Sequence, residues 1–482
     1  MNSAQKQDFL EVARGRAADM RRMQEAGLVC KSGDFFASVH YPPITMYPPI
    51  TQEELLKTYT VPEDKLFDVY AHLPFCHGRC LFCHYPVRYG DRLDEKDRYL
   101  TALEQEMDIY MRVLGLDKIQ ARSILVGGGT PTYLTPAQLK RFLDFFVERL
   151  DLSRCEQFNY DVDPATISGP EGEERLRIMR SYGVNRLTIG VQSLNERILE
   201  IMNRPHGLKE IYESIELSKK HGYQINLEFI LGHPGQTLDN WIEVMEEAVR
   251  LGVDEIQLYR LKVEAYGDFQ GPIKKYRQIR PEECPPPEEA IMMKQLAISI
   301  LNEHGYHENI RRVFAKGKKY CSAYAWNQCC ELYDEIGFGL TAFSSLRDRF
   351  GLNTQHFDEY YRCIEEGQLP VNRGLVRSQD DQIRWSIVLP IKNSRVRSKL
   401  FEQRTGVPLQ KVFRTKVENL KFFGLVQERP KADETLLECT KLGAFFADQV
   451  AQQFHDPKYM PFTTDQYNRG PLHPFDHSGV YD

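Results

Sequence analysis

No run of about eighteen apolar residues occurs in this chain of 482 residues, so no membrane-spanning helix is expected. The N-terminus shows no positively charged stretch leading into an apolar one, the pattern of a secretory leader. Neither sign of charge dominates: 62 basic against 68 acidic residues leave a formal net charge of −6. That balance suggests neither a nucleic-acid surface nor a face for an acidic polymer, so a small partner and a cytoplasmic setting are expected. Regular disulfide spacing is missing too. The eleven cysteines are odd in number and scattered through a large chain, so most are expected reduced. Cys30, Cys155, Cys284, Cys363 and Cys439 stand alone and read as ordinary thiols. Cys321, Cys329 and Cys330 lie closer together without any recognisable ligand spacing, which leaves an extra site there open.

Alternation is what the chain does have. Short apolar runs rich in β-formers fall at Phe67–His72, Ser123–Val126, Phe158–Val162, Arg186–Ile189, Gln224–Ile230 and Glu255–Leu261. Helical periods follow them at Glu95–Leu114, Pro136–Leu150, Gly172–Tyr182, Leu208–His221, Leu238–Arg250 and Glu288–Glu303. Parallel strands need crossovers, and crossover helices bury a sheet face, so an α/β fold is expected: a partial (β/α)6 barrel with its chemistry at the C-terminal strand ends. A length of 482 residues exceeds one ordinary core. Residues 1–60 read as an N-terminal extension, 61–350 as the catalytic domain, 351–379 as a connector, and 380–482 as a further module with a tail. The extension opens with a charged helical pattern, Gln5 to Gln24, and then repeats Tyr-Pro-Pro-Ile-Thr at Tyr41 and Tyr47, which excludes helix. The doublet reads as a surface-loop quirk. A second connector is expected over Gly267–Pro287. In the last module, helices near Val396–Arg404 and Leu409–Phe423, two strands after Gly424 and a closing helix form a winged-helix-like order. The acidic balance favours a substrate-covering lid over DNA binding.

The densest chemistry lies in Tyr70-Ala-His-Leu-Pro-Phe-Cys76-His-Gly-Arg-Cys80-Leu-Phe-Cys83. Three thiolates within eight residues, directly after a strand, can converge on three irons of a cube and leave the fourth iron open. Zinc is the alternative, with His77 or His84 as fourth ligand, but C-x3-C-x2-C lacks a paired knuckle.

This spacing, with Phe82 before the third cysteine, resembles the radical S-adenosylmethionine superfamily, and Tyr-x-His-Leu-Pro-Phe-Cys resembles its branch related to oxygen-independent coproporphyrinogen III oxidase. Further matches run in order from about Leu66 to Phe454. The resemblance implies a [4Fe–4S] cluster on Cys76, Cys80 and Cys83 whose open iron chelates S-adenosylmethionine. It implies a loop for the methionine amino group at Gly127-Gly128-Gly129-Thr130-Pro131, where glycines permit close approach. It implies ligand contacts from Asp161, where the family usually has Glu, from Gln192, and from Glu228, where the family usually has Asp. Arg204 would pair with the methionine carboxylate through its bidentate fork. Tyr70 and Phe82 would pack near cluster and adenine. The segment Glu335 to Ser345 looks like the glycine-rich stretch closing the branch's catalytic domain.

The branch includes porphyrin oxidases, heme chaperones, heme-opening enzymes and methyltransferases. Its oxidases carry a fourth cysteine two residues after the third, where this chain has Tyr85. That points away from coproporphyrinogen decarboxylation and toward class C methyltransferases: methylation of an unreactive sp2 carbon with two S-adenosylmethionine molecules, with the menaquinone ring as first expectation. Flavodoxin or ferredoxin would donate electrons to such an enzyme, and its substrate would be a small aromatic or a lipid quinone. A tetrapyrrole-modifying oxidoreductase and a heme chaperone are the alternatives, with His206, His233, His304 and His307 as conceivable axial ligands.

Overall fold

The computed structural model describes residues 1–33, 40–264, 269–393, 395–477 and 479–481. Alternation along Leu66–Leu73 (β1) sets the architecture: Phe67, Val69 and Ala71 enter the apolar core, while Asp68, Tyr70 and His72 turn to the other face. The same two-residue period repeats in Ile119–Gly128 (β2), Gln157–Val162 (β3), Arg186–Gln192 (β4), Gln224–Leu231 (β5) and Glu255–Arg260 (β6). These six strands pair in parallel, each beside its predecessor. The helices between them cover the outer face. Pro136–Glu148 (α1) buries Phe142, Phe145 and Phe146, and Leu238–Arg250 (α2) buries Trp241, whose indole N–H donates to Met293 O at 2.8 Å on Pro287–Glu303 (α3). Thr135 and Thr237 cap the first two of these helices, each contributing about 1 kcal/mol. Each fully buried aromatic or aliphatic side chain adds about 1.5–3 kcal/mol.

The inward face is polar, unusual for parallel strands enclosed on both sides. Arg186, 2% exposed, pairs with Glu255 and donates to Asn159 Oδ1 at 2.7 Å and Thr188 Oγ1 at 3.1 Å. Asp68 accepts from Ser123 and Asn327, and Tyr324 donates to Glu335. These buried polar groups are each held by partners on neighbouring strands or on the helical turns Ala323–Trp326 and Asn327–Glu331.

The sheet continues past both edges to thirteen strands. His307–Ile310 (β7) and Val313–Ala315 (β8) extend it beyond β6. On the other side Glu335–Phe338 (β9) lies parallel to β1, followed by antiparallel Phe343–Leu346 (β10), Arg349–Asn353 (β11) and Val371–Val376 (β12). Residues 351–379, expected as a connector, therefore hold the end of β11, a helix at Phe357–Glu365 and β12. The other expected connector carries a helix at Ile273–Ile279, while its starting residue Gly267 lies outside the described residues.

The final module begins with Gln379–Asn393 (α4), buried along nearly its whole length despite Pro390. Helices Ser398–Thr405 and Arg414–Phe422 lie between the first and second strands of a small sheet, Arg395–Arg397 (β13), Val426–Lys431 (β14) and Glu434–Cys439 (β15), with β15 central. The N-terminal helix Ser3–Glu25 packs on α3. The two tyrosines of the repeated pentapeptide are buried, contrary to a surface quirk. Tyr41 sits between His455 and Tyr459, and its hydroxyl accepts from Asp456 N at 3.1 Å. Tyr47 stacks on Phe350 at 4.5 Å. Chain ends meet as well: Leu472 N donates to Ala26 O at 2.9 Å and Lys31 N to Gln466 O at 2.8 Å.

Candidate functional site

Cys76 closes a two-residue strand, Phe75–Cys76, that pairs in parallel with Arg88–Tyr89 and so pins both ends of the cysteine loop. Inside the loop, Cys83 N donates to Cys80 O at 3.1 Å, and Leu81 N reaches Met202 O at 2.9 Å beyond β4. The glycine triplet at the end of β2 fits beneath. A Cβ on Gly129 would stand 2.8 Å from Cys76 Sγ, one on Gly128 would strike the Leu73 backbone, and one on Gly127 would meet Asp161 Oδ2. Thr130 Oγ1 lies 3.5 Å from Cys76 Sγ. Burial pushes the Cys76 thiol up to about 12 and raises that of Cys83, so metal ligation is what would make them thiolates.

The zinc alternative lacks its fourth ligand. His77 packs on Tyr133, and His84 is engaged on both ring nitrogens, accepting from Gly271 N at 2.9 Å and facing Lys262 O at 3.2 Å. Among the described residues no three His, Cys, Asp or Glu side chains are set to share one metal ion. Thiolates on three irons of a cube stand farther apart than thiolates on one zinc.

Around this loop the strand ends assemble the other expected residues. Arg204 donates to Cys80 Sγ at 3.2 Å and Gly190 O at 2.7 Å and pairs with Asp163. Its Nε is buried without an acceptor, a donor suited to a carboxylate ligand. Asp163, absent from the expected site, is the anchor here. Burial would raise it, but Arg204 and His206, whose Nδ1 lies 3.1 Å away, hold it down to about 2. Gln192 ends β4 with a φ of 68°, at a register shift in the pairing with β5, a strained backbone that turns its side chain back toward Gly190.

Asp161 and Glu228 form a second group. Burial, reinforced by Glu228, pushes Asp161 up to about 8, and burial also raises Glu228, which accepts from Tyr259 Oη at 3.0 Å. The pair therefore retains a proton at neutral pH. Tyr70 reaches His72 Nδ1 at 2.9 Å and stacks on Phe343, while Phe82 packs against His233. These two residues thus line different sides of the mouth. Tyr85 is 58% exposed, yet surrounding protein raises its hydroxyl, with Cys83 and Glu228 next in effect. Its ring lies 6.3 Å from that of His72, so it stands beside the C-terminal end of β1.

The four histidines considered as heme ligands do not converge. His206 is committed to Asp163, His233 faces Pro234 O, His304 faces Ile300 O within its own helix turn, and His307 lies exposed on edge strand β7.

Residues 70–248 match the radical SAM superfamily. The chain is 29% identical over 391 residues to the heme chaperone HemW of Bacillus subtilis, spanning 80% of this chain and 98% of that protein. It is 26% identical over 437 residues to an oxygen-independent coproporphyrinogen III oxidase of Helicobacter pylori, spanning 86% of this chain and 92% of that protein. Coproporphyrinogen III oxidase (HemN) from Escherichia coli shares the fold with a TM-score of 0.68 at 24% identity, over 80% of this chain and 89% of that one. None of these three is a methyltransferase, and they leave the expected menaquinone methylation without support. A [4Fe–4S] cluster and S-adenosylmethionine are the cofactors that follow, and the buried thiols and the open Arg204 Nε fit them. The match identifies residues 70–248, the barrel, as a radical S-adenosylmethionine domain, and over four-fifths or more of its length the chain is similar to proteins of the branch related to oxygen-independent coproporphyrinogen III oxidase.

Proposed function

We propose that this protein is a radical S-adenosylmethionine oxidoreductase acting on a tetrapyrrole, by a reaction other than standard coproporphyrinogen decarboxylation. The observation that carries this reading is Tyr85, two residues beyond Cys83, whose ring lies 6.3 Å from that of His72 near the C-terminal end of β1. The branch's oxidases have cysteine at that position, so a phenol there alters the surroundings in which the substrate reacts. Similarity to tetrapyrrole proteins along most of the chain supports the substrate class.

In this proposal Cys76, Cys80 and Cys83 ligate the cluster. Once bound and reduced, the cluster supplies the electron that splits S-adenosylmethionine and so provides a hydrogen-abstracting radical. Gly128, Gly129 and Thr130 admit the methionine end, and Arg204 Nε binds its carboxylate while Asp163 holds the guanidinium in place. Glu228, fixed by Tyr259, and Asp161, next to Gly127, are both raised by burial, so they favour the neutral acid and avoid placing two negative charges in the mouth. Tyr70, Gln192 and Phe82 complete the walls.

The test is anaerobic incubation of the reconstituted chain with dithionite, S-adenosylmethionine and either coproporphyrinogen III or heme, read by mass spectrometry. 5′-Deoxyadenosine together with a tetrapyrrole of altered mass is expected. S-adenosylhomocysteine and a methylated product would restore the two-molecule methyltransferase reading. A second reading, heme chaperone, is favoured by the similarity to nearly the whole length of HemW. Stoichiometric heme binding that resists S-adenosylmethionine turnover would select it.

A further inference from the structure

Two-residue alternation places Asn159 and Asp161 on one face of β3, and the register sets Asn159 opposite Arg186 and Asp161 opposite Thr188 on β4. A guanidinium only donates, so the hydrogen bonds around Arg186 run in one direction. It pairs with Glu255 on β6 and donates to Asn159 Oδ1 at 2.7 Å. With its oxygen taken by that cation, the Asn159 amide turns Nδ2 to Asp161 Oδ1, 3.2 Å away, as a donor. Thr188 accepts from the same guanidinium at 3.1 Å, which leaves its single proton for Asn159 Oδ1 or Asp161. Asp161 Oδ1 is thereby committed as an acceptor. Its other oxygen faces the cofactor loop: Oδ2 stands 2.7 Å from where a Gly127 Cβ would lie, and Tyr70 Oη stands 3.3 Å from the same point. Glu228 ends a second chain of hydrogen bonds, from Asn226 through Gln257 and Tyr259, but that chain starts from amides, which present either end, and holds no group that only donates.

We infer that Arg186 and Asn159 are positioning residues of the candidate site: together they decide which oxygen of Asp161 meets the ligand and in which role, so that Oδ2 presents an O–H donor beside Gly127. This role rests on the placement of Asp161 in the cofactor pocket made above and is independent of the tetrapyrrole reading. The charged or titratable groups facing Asp161 are Arg186 on β4, Glu228 on β5, Tyr259 on β6, Tyr70 on β1, Tyr160 beside it on β3, and Tyr85. Burial, then Glu228, pushes Asp161 up to about 8 against Arg186, Asn159 and Thr188, so the acid form prevails at neutral pH. With Oδ1 already receiving an N–H, its proton sits on Oδ2, where an acceptor atom of the ligand takes the hydrogen bond. A buried ion pair such as Arg186 with Glu255 is a weak stabiliser, since a well-packed apolar pair of similar volume often does as well. What this pair adds is a fixed orientation of the amide next to it.

The full chain, reconstituted anaerobically and carrying isotope-labelled aspartate, is titrated across neutral and alkaline pH by infrared spectroscopy, with the Asp161 acid band identified by its loss in Asp161→Asn. Asn159→Leu removes the donor to Oδ1 and fills the same space. Arg186→Gln combined with Glu255→Gln removes both charges of the buried pair together, which avoids stranding one of them. Each change is expected to move the band to higher wavenumber, as happens when a carbonyl loses its N–H, and to raise its midpoint by about one pH unit. Each should also weaken S-adenosylmethionine about tenfold in equilibrium dialysis, about 1.4 kcal/mol, the usual worth of one hydrogen bond. Glu228→Gln should instead lower the midpoint, because it removes a neighbouring negative charge. A purely structural role would cost Tm without moving band or midpoint, and an unmoved band and midpoint overturns the inference; either change suffices where the other does not fold. A moved band and midpoint with S-adenosylmethionine affinity indifferent to both changes, and to Asp161→Asn, keeps the relay and overturns the placement of Asp161 in the cofactor pocket.

Discussion

Gly129 and Arg204 carry the sharpest single-residue tests. Replacing any one of Cys76, Cys80 and Cys83 with Ala is expected to remove the cluster's visible absorbance and all cleavage of S-adenosylmethionine. Gly129→Ala brings a methyl group to 2.8 Å from Cys76 Sγ, so it should lose cluster absorbance while the barrel's Tm shifts by only a few degrees. A variant that keeps the full cluster would remove the close contact from the account. For Arg204, substitution by Gln should weaken S-adenosylmethionine binding at least about tenfold, the loss of a charge-assisted contact. Asp163→Asn should do nearly the same, because it releases the guanidinium from its buried partner. Equilibrium dialysis of the reconstituted variants measures both, and an unchanged Kd in Asp163→Asn would break the link between the two residues. The cysteine triad was legible in the sequence because its spacing is local. Asp163 as the partner of Arg204 was not, since 41 residues separate them and Asp161 beside it carries the same functional group.

The barrel strands were legible for a similar reason: each is an apolar run bounded by a helical period, and the expected limits fall within a few residues of those found. Strands β10 to β12 were not. They are short, antiparallel and interrupted by glycine and asparagine, and the one helix among them, Phe357–Glu365, is itself only nine residues long, so residues 351–379 resembled a linker. The polar interior of the barrel also escaped notice, because alternate strand positions show which residues share a face but not which face turns inward. That interior makes a pH test possible. Burial pushes Asp68 up to about 7 against the bonds from Ser123 and Asn327. A carboxylic acid whose folded value lies above its unfolded value of about 3.9 stabilises the fold at low pH and loses that contribution as pH rises toward 7. Asp68→Asn, which keeps the shape of the neutral acid and cannot ionise, should therefore match the native chain at pH 4.5 and be the more stable of the two at pH 8. Urea unfolding at the two pH values decides, with a pH-independent difference counting against the raised acid.

At the scale of the molecule, the N-terminal extension joins the barrel to the module above it. Tyr41 is held by His455 and Tyr459, and Tyr47 by Phe350 on β11. Tyr41→Ala removes a fully buried aromatic and is expected to destabilise by about 3–5 kcal/mol, the usual range for large aromatic truncations. The loss should appear locally, as faster proteolysis between residues 456 and 481 than within the barrel. Uniform protection in the variant would show that the tyrosine does not secure that stretch. This contact could not be read from the linear order, because residues 41 and 455 come together only in the folded chain. The hydrogen bonds from Leu472 N to Ala26 O and from Lys31 N to Gln466 O have a consequence for how the molecule comes apart. Residues 26–31 and 466–472 hold one another although they lie far apart along the chain. A cut or an unfolding step in either stretch therefore sets the other loose, so the seam behaves as a clasp whose two halves open together.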